Sequence, residues 1–173
     1  MQKKTFSTAV WLFAMLCALT LGACDPKFNW REVRGKNPPF TVLLPAKPAS
    51  LTRPINLEGQ KVDMTMTAAE VDGVSFAVGA VQLVDAAHAQ AAARAMQMAM
   101  VSNIRGTPRP LAHASDPTDI EASGTPADGA PAMLLIGHFA AADNRAYQVI
   151  VVGPEKELSR EQAATFLASF KPQ

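Results

Sequence analysis

Residues 61–83 read KVDMTMTAAEVDGVSFAVGAVQL, and this stretch decides the fold. Polar and apolar residues alternate at first: Val62, Met64, Met66 and Ala68 fall on one side, Lys61, Asp63, Thr65 and Thr67 on the other. Side chains along a strand point to opposite faces in turn, so this is a strand with one wet face. Asp72-Gly73 follows, a dipeptide that accepts the left-handed backbone of a tight hairpin turn. Residues 74–83 then carry apolar side chains on both faces, as an interior strand does.

Toward the N-terminus, 40–44 reads as a first strand, opened by Pro38-Pro39 and closed by Pro45. A second is expected over 50–57, where Pro54 confines it to a sheet edge because it has no amide proton for a ladder on both sides. Glu58-Gly59-Gln60 is a turn. Toward the C-terminus, Asp85 is placed to cap a helix from Ala86 to about Ile104. Ala89, Ala92, Ala93, Met96, Met100 and Ile104 form one stripe at three- and four-residue spacing, so that helix lies flat on a sheet.

Residues 106–131 change character, with Pro108, Pro110, Pro117, Pro126 and Pro131 among Gly106, Gly124 and Gly129. They read as loops, with a short strand near 111–115, and long irregular segments in small domains are commonly functional. A second hairpin is expected over 132–141 and 146–152, turning at Asp143-Asn144. Ser159, with Gln162 as capping-box partner, starts a last helix to about Phe170, with Ala163, Phe166, Leu167 and Phe170 facing inward. The fold class is therefore α+β: an antiparallel sheet of about six strands flanked by a long central helix and a C-terminal helix, in a single domain over 38–173.

The start of the chain carries a different message. Lys3 and Lys4 precede an uncharged apolar run over 9–19, too short for a permanent membrane span and typical of a secretory signal. It ends in Leu21-Gly22-Ala23-Cys24, which resembles the lipobox of bacterial lipoproteins: an aliphatic residue, two small residues, then the cysteine that receives lipid. The resemblance implies cleavage before Cys24 and acylation of that residue; two or more acyl chains, at about 0.8 kcal/mol per buried methylene, anchor a protein stably. Cys17 lies in the discarded part, so no disulfide is expected. Asp25 resembles the residue that retains lipoproteins in the inner membrane of enteric bacteria, which implies the periplasmic face of that membrane.

Residues 24–37 then read as a lipidated polar tether, in which Lys27, Arg31, Arg34 and Lys36 outnumber Asp25 and Glu32 and would sit beside lipid headgroups. Phe28 and Trp30 could touch the membrane interface or a partner, or pack under the first strand. Loss of the signal removes Lys3 and Lys4 and no acidic residue, so the balance moves from 16 basic against 15 acidic to 14 against 15. Near-neutrality argues against a nucleic-acid partner.

The order of elements, with Phe40-Thr41-Val42-Leu43-Leu44-Pro45-Ala46-Lys47-Pro48 near the start and Phe166-Leu167-Ala168-Ser169-Phe170-Lys171 at the end, resembles the PsbP-like family, to which bacterial envelope lipoproteins similar to DcrB belong. The resemblance implies an antiparallel sheet flanked by helices and an accessory or binding role, with no shared active site to carry over.

His88, His113 and His138 fall on a helix start, a loop and a strand, with no metal spacing between them. His113-Ala114-Ser115-Asp116 gathers catalytic residue types, but close neighbours in one loop are poorly placed to aim at one another as a triad must. Met64 with Met66 on a strand, and Met96 with Met100 on a helix, present soft thioethers of the kind that bind Cu(I). The same side chains suit the irregular gaps between a helix and a sheet. Asp116, Asp119, Glu121 and Asp128 form a loose acidic group without calcium-loop spacing, read as solvated loop charge. The expectation is a membrane-anchored, non-catalytic accessory protein of the envelope with no cofactor, meeting an unknown envelope protein through 106–131 with Pro117, Asp119, Glu121 and Asp128 as candidate contacts. The alternative is a small-ligand or copper-binding module using Met64, Met66, Met96 and Met100.

Overall fold

Glu58-Gly59, Asp72-Gly73 and Asp143-Asn144 each reverse the chain, and the first residue of each pair takes a positive φ, of 52°, 51° and 52°. Such left-handed residues match the twist of the strands that a tight hairpin joins. The computed structural model describes residues 27–112 and 118–173. Its elements in chain order are β1 (Arg31–Lys36), β2 (Pro39–Leu44), β3 (Ala49–Leu57), β4 (Gln60–Val71), β5 (Val74–Gln82), α1 (Ala86–Asn103), β6 (Thr107–Pro110), β7 (Asp119–Gly124), β8 (Met133–Ala142), β9 (Arg145–Pro154), α2 (Arg160–Ser169) and β10 (Lys171–Pro172).

Among the described residues the strands form a seven-stranded sheet in the order β3-β4-β5-β9-β8-β7-β6 and a three-stranded sheet in the order β1-β2-β10. Every pairing is antiparallel. The α+β class and the flanking helices follow the reading of the sequence. The strand count does not: about six strands in one sheet were expected, and the main sheet has seven beside a second sheet of three.

The seven-stranded sheet is a middle layer. On one face α1 lays Ala89, Ala92, Ala93 and Met96 against Ala77, Leu135, Phe139, Ala146 and Ile150. Alanines without long side chains let the helix axis come close to the sheet, and the Asp85 carboxylate caps its first turn by accepting from the His88 amide at 2.9 Å. On the other face, Phe40, Val42 and Leu44 of β2 and Ala163 and Phe166 of α2 cover Phe76, Val78, Leu134, Ile136, Val149 and Val151. Tyr147 Oη donates to the Pro39 carbonyl at 3.0 Å, tying the two sheets together. Burial pushes the Tyr147 phenol above its ordinary pKa, which keeps it a donor. Ser169 Oγ accepts from the Leu43 amide and donates to the Phe166 carbonyl, fixing the end of α2 on β2.

Two segments depart from expectation. Residues 31–36, read as tether, form β1, paired from Arg31↔Leu44 to Lys36↔Pro39. A strand whose side chains mostly face water needs only the ladder with its neighbour, so its hydropathy carries little trace of it. Just ahead of it, the rings of Phe28 and Trp30 stack at 5.9 Å and both stand edge-on to Phe76, at 6.3 and 6.1 Å, while the Asn29 amide donates to the Pro45 carbonyl at 2.8 Å. Packing under the sheet is the outcome for both aromatics.

The second departure is 106–131. It contains a strand pair, β6 with β7, in place of one long loop. Pro108 and Pro110 are tolerated because β6 is an edge strand. The connection over 125–132 lies at the end of the sheet that holds the Asp72-Gly73 turn and the end of β9.

Trp30→Ala should lower stability by about 2 kcal/mol, some half of the cost of truncating a fully buried aromatic, because its ring is only partly covered. Urea denaturation of the domain measures it; a free tether would leave the midpoint unmoved.

Candidate functional site

Cys24, Asp25, His113, Ser115, Asp116 and Pro117 lie outside the described residues. The four methionines do come together in one layer, between α1 and the sheet. Met96 is buried, and Met64, Met66 and Met100 are partly so. Met66 pairs across the ladder with Gly79, and a Cβ on Gly79 would run into its sulfur and into the Gln148 side chain. Gln148 Nε2 donates to Met66 Sδ at 3.5 Å. This thioether therefore fills a notch that a bare glycine leaves, which is the packing use of methionine. Met98 projects away from the others and is exposed. No group of three or more His, Cys, Asp or Glu side chains is arranged to hold a metal ion among the described residues.

The acidic group is dispersed. Asp128 sits on the 125–132 connection, fully exposed, with Arg105 Nη1 at 3.7 Å. Asp119 and Glu121 belong to β7. His138 Nδ1 on β8, directly opposite, lies 2.7 Å from Asp119 Oδ1 and 3.2 Å from Thr118 Oγ1. Both Asp119 and His138 are largely buried, and the imidazole lies against the Phe170 ring at 6.2 Å.

Glu121 is the strongest departure from the solvated loop charge expected. Its side chain is 7% exposed. Arg160, the first residue of α2, donates to it through Nη2 at 2.8 Å and Nε at 3.1 Å. Arg109, its ladder partner on β6, donates through Nη2. Hydrogen bonds from Arg160, and then from Arg109, hold the carboxyl below the ordinary glutamate range although burial pushes the other way. The arrangement joins an edge strand, a strand and a helix, so this carboxylate is committed internally and is not available to a partner. A buried glutamate and a solvated one look alike in a sequence; the only trace was an arginine placed to face it if 107–124 turned back on itself.

A site that sequence reasoning did not single out lies between β1 and the outer strands β3 and β4. A cleft of about 370 Å³ is lined by Ser50, Thr52, Thr65 and Thr67, with Arg34 and Lys36 on the β1 side. The hydroxyls form two cross-strand pairs, Ser50 with Thr67 and Thr52 with Thr65, each at 2.9 Å. The polar face read for Thr65 and Thr67 was the available signal, although that face is not wet at Thr67, which is buried at 4% exposure. Hydroxyls that both donate and accept, beside two cations, can receive an oxygen-rich anionic ligand. Arg34 is already bonded to Glu32 at 2.8–2.9 Å, which leaves Lys36 as the freer charge.

Comparison with protein-family models, with curated proteins and with solved structures finds no match to this chain.

Glu121→Gln should cost about 2 kcal/mol near neutral pH, since charge-assisted bonds to a mostly buried acceptor are weakened while both guanidinium heads stay half exposed. A depressed folded-state pKa contributes stability that is fully present above the unfolded pKa and is lost as pH falls through the folded value. The difference between the parent and E121Q should therefore shrink below about pH 4.3. Denaturant titrations at a series of pH values measure it; a difference independent of pH would contradict the ion-pair account.

Proposed function

We propose that this chain is the precursor of a bacterial lipoprotein, cleaved before Cys24 and anchored there by lipid, whose domain serves as a non-catalytic accessory or interaction protein of the cell envelope. The observation that carries the reading is Leu21-Gly22-Ala23-Cys24 behind a basic start and a short apolar run. Asp25 favours the periplasmic face of the inner membrane. An antiparallel sheet with a helix on each face supports the PsbP-like reading of the fold.

A partner would be met on exposed connections at the ends of a rigid sheet. Of the four candidate contacts, Glu121 is turned inward and Asp119 is paired with His138, which shifts the weight to Asp128 and to Pro117. Crosslinking and pull-down of the full-length protein from its own membranes should recover one envelope complex repeatedly, and Cys24→Ala should lose it. Recovery of nothing beyond the Cys24→Ala background would remove the accessory reading.

The β1–β4 cleft favours a second reading, a small-ligand module. Amide chemical-shift changes at Ser50, Thr52, Thr65 and Thr67 on titration with inorganic phosphate or a sugar phosphate would support it, and unmoved resonances would remove it. Its soft-metal form places Cu(I) on Met64, Met66, Met96 and Met100, which share one layer. Anaerobic titration with Cu(I) decides that form, since stoichiometric binding abolished by Met64→Leu with Met66→Leu is required of it.

A further inference from the structure

We infer that the bilayer surface is met by one end of the sheet, the end that carries Lys27, the 45–48 connection and the Asp72-Gly73 turn, and that the opposite end points away from the membrane. The inference rests on lipid anchoring at Cys24. Its other support is the point at which the chain becomes part of the folded body. Phe28 is already stacked on Trp30 and set against Phe76, and Lys27 is held by Asp72 at 2.6 Å. Only Asp25, Pro26 and Lys27 separate Phe28 from the lipidated residue. However those residues are arranged, their reach is at most about 14 Å.

That reach is short against the size of the domain. Strand β9 alone has ten residues, which at about 3.3 Å each gives the sheet a depth of about 30 Å. The anchor enters at the end where β4 turns into β5, because Lys27 bonds to Asp72 and Asn29 to the Pro45 carbonyl there. The Glu58-Gly59 and Asp143-Asn144 turns and Val84 sit at the far end, a full strand length away.

The short link to a lipidated Cys24 is what sets this orientation. Lys27 is paired with Asp72, Arg105 with Asp128 at 3.7 Å, and Lys156 with Glu157 at 3.8 Å, so three basic side chains at this end each have an acidic neighbour, while Arg31 and Lys47 have no ion pair among the described residues. Of the basic residues read into 24–37, Lys27 is engaged with Asp72 and Arg34 with Glu32, while Arg31 and Lys36 have no ion pair among the described residues.

The test uses the matured lipoprotein in vesicles of phosphatidylethanolamine and phosphatidylglycerol, with a fluorophore on Lys47→Cys or on Val84→Cys; both positions are exposed, at the near and far ends respectively. A short-range quencher carried on lipid headgroups should quench the Lys47→Cys label several-fold more than the Val84→Cys label. High salt should leave the ratio unchanged, and a long Gly/Ser insertion between Asp25 and Pro26 should bring it toward one. Flotation with the vesicles, compared with Cys24→Ala, is scored first. Failure to float removes the anchor reading and this orientation with it; flotation with equal quenching at the two positions overturns the orientation alone.

Discussion

Phe76 stands on an interior strand with Phe166 edge-on at 5.6 Å and with Phe28 and Trp30 closing around it at 6.3 and 6.1 Å. Three segments far apart in the sequence, the N-terminal entry, β5 and the C-terminal helix, meet on this one ring. Edge-to-face pairs contribute about 0.5–1.5 kcal/mol each beyond the area they bury. Their larger effect is geometric, because they decide which part of the chain belongs to the body. With Phe28 and Trp30 in place, β1 is brought beside β2 and α2 closes over the sheet. The rest of the molecule is arranged around that face, and α1 seals the other with alanines and Met96.

If Cys24 is lipidated as proposed, this early packing gives the molecule a membrane-side end and a distal end, because only three residues separate Cys24 from Phe28. The acidic side chains that looked like one surface group are assigned by the same frame to three different tasks. Asp128 lies on an exposed connection, Asp119 supports a ladder pair with His138, and Glu121 locks an edge strand and a helix to the sheet.

Much of this was legible in the sequence where local rules suffice. The alternation of Val62, Met64, Met66 and Ala68, the turn residues at Asp72-Gly73, the Asp85 and Ser159 caps and the edge position forced by Pro54 each depend on a few adjacent residues, and each appears in the structure. What escaped were features set by distant partners. β1 is polar and exposed, and it exists because β2 offers it a ladder. The prolines of 106–131 concealed a strand pair, because Pro108 and Pro110 on an edge strand look the same as prolines in a loop. Glu121 became structural through Arg109 on the edge strand and Arg160, on a helix 39 residues away in sequence. The cleft between β1 and β4 needed both sheets before its hydroxyl pairs could be seen to share a space.

The central claim is that a folded body begins almost at a lipidated cysteine. Intact-mass and peptide mass spectrometry of the protein isolated from its own membranes tests it most directly. The account predicts a mature N-terminus at Cys24 bearing a thioether-linked diacylglyceryl group. An unmodified Cys24 inside a longer chain, or a mature N-terminus at any other residue, would contradict it.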